Sequence, residues 1–267
     1  MTKITYLILG LLAGLLAVFV PAQGSASELY ASSWGTSNLN FSIVLPGDAT
    51  VTSRSLHAHS ELGYDISSGV PAKVADMTIS EGTPEWEETG GYAWAYIRGD
   101  RKNESGLSGC ADTLPSEMWA YTWATGDAGR PETWSFSLAV YTIAFNLSSP
   151  GSVSVTYSSP GYDYFTGVDA YCDSAYTYAS SRRSILADGS TQLYDLGNTL
   201  EQFGIGYMTG YSPDSGTVSH DFDAGLHEIS VIAYADSKAS VVPIPGSAIL
   251  FGSALTGLAG LKRKLKK

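Results

Sequence analysis

What this chain lacks narrows it first. Only 15% of its 267 residues are charged, too few for the solvated faces of a helical protein. Basic residues are scarce where nucleic acid would need them. Fifteen Lys and Arg stand against 26 Asp and Glu, and Lys3, Lys262, Arg263, Lys264, Lys266 and Lys267 carry six of the fifteen to the two ends. The long segment between is strongly acidic, which excludes nucleic acid as a partner, because binding it requires basic groups to displace counterions. There are two cysteines and neither sits in a Cys-x-x-Cys pair, so they do not mark a zinc site. No Gly-x-Ser-x-Gly elbow occurs, and Gly204-Ile-Gly206-Tyr-Met-Thr-Gly210 misses the dinucleotide-binding spacing by one place. No nucleophile, base and orienting group can be named together. The chain therefore reads as non-catalytic, without a cofactor.

What is present favours sheet: 17 Tyr, 6 Trp, 8 Phe and abundant Ser, Thr and Val, with 29 Gly for corners. Period-2 runs predict strands at Asn40–Val44, Val51–His59, Lys73–Ser80, Tyr92–Arg98, Met118–Ala124, Thr133–Leu147, Ser152–Ser158, Ala170–Ser180, Gly204–Thr209 and Leu226–Ala235. Within Thr133–Leu147 the phase slips: Trp134, Phe136 and Leu138 are even, Ile143, Phe145 and Leu147 odd. A bulge near Ala139, or burial of both faces, would account for it. Asp223-Ala-Gly225 reads as a hairpin turn between Val218–Phe222 and Leu226–Ala235. Leu193–Phe203 is the one short helix-like stretch. So many strands without intervening helices cannot form a parallel sheet, so the expected fold is an all-β antiparallel β-sandwich, jelly-roll-like.

The two ends differ from this body. Residues 1–26 join a short positive start, an apolar run from Ile4 to Val20, and Pro21 before the small residues Gly24 and Ala26, the form of a cleavable secretory signal helix. An uncleaved anchor is the alternative. Residues 27–240 form the ectodomain. In 241–267, Val242-Pro243-Ile244-Pro245-Gly246 holds the chain extended, since proline forbids a regular helix. Residues 246–261 are uncharged and span roughly 24 Å as a transmembrane helix, just short of a ~30 Å hydrocarbon core. Lys262, Arg263, Lys264, Lys266 and Lys267 then pin that end on the cytoplasmic side.

This tripartite end resembles the PEP-CTERM sorting signal of exported proteins in exopolysaccharide-producing Gram-negative bacteria, in a variant with Ile244 where the family's name has Glu. The resemblance implies processing near Val242–Gly246 by exosortase, a membrane-embedded cysteine transpeptidase, after signal peptidase has acted at the other end. It implies a precursor held in the inner membrane by its C-terminal helix and a mature form at the cell surface or outside. A plain stop-transfer anchor is the competing interpretation.

Within the ectodomain, Cys110 and Cys172 are read as a disulfide, worth about 4 kcal/mol by the loop it closes, with two buried thiols as the alternative. Tyr92, Trp94 and Tyr96, and likewise Trp119, Tyr121 and Trp123, alternate with small residues, as do Tyr176 and Tyr178. Each set shares one strand face. Exposed, they would form a platform on which sugar rings stack; buried, they would be core with the small residues outside. His57 and His59 also share a face, but no third metal ligand is marked, so no metal site is expected. His220 and His227 flank the last turn. Asp221-Phe-Asp223-Ala-Gly225 begins like a calcium loop but has Gly a place too early and Ile232 where Glu should close it. Glu81–Glu88, and Asp163 with Asp169 and Asp173, are acid-rich segments that make calcium a candidate ligand. The expectation is a non-catalytic exported surface or matrix protein with extracellular polysaccharide as a candidate partner. A glycan-binding module and a secreted sandwich-fold hydrolase are the alternatives. Replacing both Pro243 and Pro245 with Ala should leave a membrane-retained precursor of unprocessed mass; intact-mass measurement after cell fractionation checks this, and normal processing of the variant refutes it.

Overall fold

The computed structural model describes residues 30–89, 93–98, 104–108, 116–127, 132–159, 166–170, 175–210 and 213–241. They lie within one compact unit, Leu29–Val242. The expected signal helix, sorting tail, transmembrane helix, Tyr92, both cysteines, Cys110 and Cys172, and Asp163 and Asp173 of the candidate calcium segment lie outside the described residues. Among the described residues no helix is long and apolar enough to cross a membrane.

Fourteen strands and one helical turn make up the described elements: β1 (Tyr30–Val44), β2 (Ala49–Gly63), β3 (Lys73–Ser80), α1 (Pro84–Thr89), β4 (Trp94–Arg98), β5 (Glu104–Ser108), β6 (Ser116–Asp127), β7 (Glu132–Leu147), β8 (Gly151–Ser158), β9 (Thr166–Ala170), β10 (Ala175–Ala187), β11 (Thr191–Phe203), β12 (Gly206–Gly210), β13 (Ser215–Phe222) and β14 (Gly225–Val241). They form two antiparallel sheets. The first runs β12-β9-β1-β6-β5-β4, with β8 on β1 and β13 on β8; the second runs β11-β10-β14-β7-β2-β3. Strand β1 pairs with β6 along one side, and on the other changes partner from β9 at residues 31–34 to β8 at 40–44.

The sheets pack face to face through two unlike interiors. At one end large side chains fill the space, among them Leu39, Phe41, Met118 and Val155 from the first sheet and Tyr141, Ile143, Phe145 and Ile229 from the second. Each such side chain stabilises by roughly 1.5–3 kcal/mol when fully buried. At the other end the inward positions are small: Ala31, Ser33, Gly35, Ser37, Thr122 and Ala124 against Ser135, Ser137, Thr177, Ala179, Ala235, Ser237 and Ala239, all buried. Hydroxyls there bond across the gap. Ser33 Oγ donates to the Lys238 carbonyl at 2.8 Å, and Ser37 Oγ to the Arg182 carbonyl at 3.0 Å. Thr122 and Ser237 hydroxyls meet at 2.6 Å, and Thr133 Oγ1 donates to the Thr125 carbonyl at 2.9 Å. The approach is so close that a Cβ on Gly35 would stand 2.8 Å from the Ser180 carbonyl oxygen of the opposite sheet.

This small-residue interior corrects several expectations. The odd positions of β7 face inward throughout, from Thr133, Ser135, Ser137 and Ala139 to Ile143, Phe145 and Leu147, so there is no phase slip. Trp134, Phe136 and Leu138 sit on the outer face. The register of β7 with β14 is unbroken, and the irregularity lies in β2, between Val51 and Ser53. Leu193–Phe203 is not helical but belongs to β11, paired with β10. Leu193, Leu196 and Leu200 mimic helical spacing, yet the hairpin at Asp188 and Gly189, both with positive φ, turns the chain back as a strand. Asp223–Gly225 is no hairpin turn: β13 pairs with β8 in the first sheet, whereas β14 pairs with β7 and β10 in the second. The acid-rich Glu81–Glu88 is largely α1, with the Thr83 hydroxyl accepting from the Trp86 amide at 3.3 Å and Trp86 buried in the core.

Gly35→Val should destabilise the fold by about 1–3 kcal/mol, since the added atoms overpack a backbone contact. Thr36→Val, on the outer face, should stay within about 0.5 kcal/mol. Urea unfolding of the full chain measures both.

Candidate functional site on the outer sheet faces

Because the small residues face inward, the large aromatic ones on the same strands face out. Strand β6 alternates buried Met118, Ala120, Thr122 and Ala124 with outward Trp119, Tyr121 and Trp123. Strand β4 and the residue before it do the same, with buried Ala93 and Ala95 and outward Trp94 and Tyr96. Trp94 is 56% exposed, Tyr96 46% and Trp119 36%. The reading of these aromatics as core is thereby overturned for this sheet.

Register assembles them into one surface. Ser108 of β5 pairs with Trp94 on one side and Trp119 on the other, and Gly106 likewise joins Tyr96 and Tyr121. Across β6, Trp119 stands opposite Asn38, Tyr121 opposite Thr36 and Trp123 opposite Trp34. Along a strand, successive outward residues are separated by roughly 6.6–6.8 Å. The rings of Trp34 and Trp123 lie 5.9 Å apart, and Trp34 continues to Tyr207 of β12 at 6.2 Å. Trp34 seats on Gly167, where a Cβ would collide with the ring. Trp123 Nε1 donates to Ser32 Oγ at 2.8 Å, fixing its indole. A groove of about 380 Å³ between Thr36, Asn38, Glu117, Trp119 and Tyr121 brings polar groups beside the rings, with Asn38 Nδ2 donating to Glu117 Oε1 at 3.4 Å. Sequence reasoning missed Trp34 and Tyr207. Residues 30–39, rich in Ser, Gly and Asn, carry no apolar alternation, so β1 was expected to begin only at Asn40.

The outer face of the second sheet is different. Tyr176 and Tyr178 also face out, and the Lys238 ammonium lies 5.2 Å from the Tyr178 ring centre. Phe136 packs edge-on to Tyr234 at 5.4 Å and to His59 at 5.9 Å. A groove of about 540 Å³ is lined by residues including His57, His59, Trp134, Phe136, Asp236 and Lys238. Trp134 is buried there, its indole donating to the Asp65 carbonyl at 3.1 Å. His57 and His59 stack with centres 6.0 Å apart. Against expectation, a third potential ligand stands beside them, Asp76 of β3. Burial disfavours the charged His59 imidazolium, but the Glu61 and Asp76 carboxylates together outweigh this and hold its pKa above the ordinary histidine value. Burial likewise pushes the Asp236 carboxyl up, opposed by Lys238 at 3.6 Å and by the Tyr234 hydroxyl, which donates to it at 3.4 Å.

In the candidate calcium loop, contacts reach the Asp223 backbone carbonyl and the neighbouring Asp188. His227 bonds the Asp223 carbonyl at 3.0 Å through Nε2 and the Asp188 carboxylate at 3.0 Å through Nδ1. His220 packs edge-on to Phe222.

No protein-family model matches the chain, and no curated protein does. Among solved structures it aligns with a T=1 nodavirus particle of Penaeus vannamei at 9% identity over 82% of this chain and 85% of that one, TM-score 0.10. It also aligns with the infectious bursal disease virus VP2 subviral particle at 11% identity over 84% and 69%, TM-score 0.12. Scores this low carry no argument about fold or function.

Asp236 yields a pH prediction. With its pKa raised in the fold, the folded state binds more protons than the unfolded state between the unfolded value of about 3.9 and the folded one. Stability therefore falls as pH rises through that window, and the full penalty persists above it. Asp236→Asn should raise the thermal midpoint near neutral pH and leave it almost unchanged below about pH 3.9, read by circular dichroism melts across pH.

Proposed function

We propose that this chain is an exported, non-catalytic surface or matrix protein that holds an extracellular polysaccharide on the aromatic outer face of its first sheet. The observation that carries the reading is the exposure of Trp94, Tyr96 and Trp119 on one sheet face, with Thr36, Asn38 and Glu117 lining a groove beside Trp119, over the small, buried inward residues Ala95, Ala120, Thr122 and Ala124. Flat rings with nearby amide, hydroxyl and carboxylate groups suit a sugar polymer, whose apolar ring faces stack while its hydroxyls need partners. Exposed aromatic residues gathered on one sheet face, rather than scattered singly, suit an interaction site.

The proposed route outward is the one the two ends suggest: signal peptidase at residues 1–26, then an exosortase-type transpeptidase at Val242–Gly246. The basic stop at Lys262–Lys267 retains the precursor in the inner membrane until that cut. A jelly-roll-like sandwich is the proposed finer fold. It is supported by the connections β1 to β2, β6 to β7, β7 to β8 and β13 to β14, each of which passes from one sheet to the other.

Affinity electrophoresis of the full chain in gels cast with neutral or anionic exopolysaccharide tests the platform. The Trp94→Ala/Trp119→Ala variant should lose retention by at least about tenfold, equivalent to about 1.4 kcal/mol, while its thermal midpoint stays close to that of the parent. Retention undiminished in the variant refutes the platform.

A further inference from the structure

A second site stands on the other sheet, independent of the polysaccharide reading. Strand pairing sets His59 directly opposite Asp76 and His57 opposite Thr78, so the two imidazoles and the carboxylate share the outer face at the β2–β3 edge. His59 Nδ1 lies 3.2 Å and His57 Nδ1 3.6 Å from the same Asp76 Oδ1, and the three residues can each offer one ligand atom such that all lie within 4.8 Å of one another. Ligand atoms around a tetrahedral zinc ion stand about 3.3–3.5 Å apart, given bonds of roughly 2.0–2.2 Å. The two imidazole–carboxylate distances already match that spacing; a separation at the 4.8 Å limit would close by side-chain rotation when an ion binds.

We propose that His57, His59 and Asp76 bind a divalent late transition-metal ion of the zinc or copper type. Both imidazoles would ligate through Nδ1, and Asp76 through one carboxylate oxygen. The Thr78 hydroxyl, 2.8 Å from His57 Nδ1, gives up that hydrogen bond when the metal takes the nitrogen. Glu61 is the supporting residue: its Oε1 is 3.0 Å from His59 Nε2, the ring nitrogen that faces away from the metal. A carboxylate there accepts a hydrogen bond from Nε2–H, fixes the tautomer that frees Nδ1, and strengthens the ligand. The charges also match, because the two carboxylates balance a divalent cation while the imidazoles remain neutral. Imidazole with carboxylate favours zinc or copper over calcium, which takes oxygen ligands only. Three protein ligands leave a position open to water or an external anion.

The ion would join the edge strand β3 to β2. The test is calorimetric titration of the tag-free full chain with Zn2+, paired with hydrogen exchange of β3. One ion per chain should bind with micromolar affinity and slow exchange in residues 73–80. His57→Ala/His59→Ala should abolish both effects, and Glu61→Gln should weaken binding by about 10–100-fold. His220→Ala/His227→Ala should leave binding intact. Nitrogen hyperfine structure from two imidazoles in the Cu2+ spectrum, lost in the His57→Ala/His59→Ala variant, would identify the ligands directly. All four histidines are half-buried strand residues, so matching melts of the metal-free proteins are required to verify folding. Absence of stoichiometric binding, or binding that survives loss of His57 and His59, overturns the proposal.

Discussion

The close approach of the two sheets along residues 31–37 is the constraint from which the rest of the surface follows. Where a carbonyl oxygen of one sheet occupies the space a Cβ would need on Gly35, the inward row can hold only Gly, Ala, Ser and Thr. Such a layer buries little apolar area. Its compensation is directional: hydroxyls of Ser33, Ser37, Thr122 and Thr133 reach across to the other sheet. Each buried bond contributes about 0.5–1.5 kcal/mol net, and leaving one partner unsatisfied costs about 1–3 kcal/mol. The layer also fixes register. A slip by one residue would drive Trp119, Tyr121 and Trp123 into a gap with no room for them. Large rings on the outside are thus the counterpart of small residues within.

Much of the strand pattern was legible because it obeys period 2. The clearest case, Ser152–Ser158, is found as β8 with Val153, Val155 and Tyr157 buried. Legibility ended where the interior ceased to be apolar. Sequence reading equates the inward face with hydrophobic residues, so it saw a phase slip in β7 where Ser135 and Ser137 replace aliphatic side chains. For the same reason it missed the first ten residues of β1. Strand direction was legible; partners were not. That Phe222 and Leu226 belong to different sheets follows from long-range packing, which turn residues alone do not encode.

The site residues divide similarly. Alternation grouped Trp119, Tyr121 and Trp123 on one face, but which face was outward depended on what the opposite sheet could accept. His57 and His59 were paired by spacing alone. Asp76, 17 residues from His59, joins them only through the β2–β3 register, and the long connection between those strands conceals that register from sequence.

Strand β14 has a mechanical consequence. Its 17 residues run between β7 and β10, hydrogen-bonded to both, and end at Val241 beside Ala175. Tension applied at that end along the strand axis loads two ladders in shear simultaneously, so many bonds must yield together instead of unzipping in succession. A body tethered through this strand would withstand drag from its surroundings far better than one suspended from a peripheral hairpin, and its lifetime under load would be set by the unfolding rate rather than by equilibrium stability.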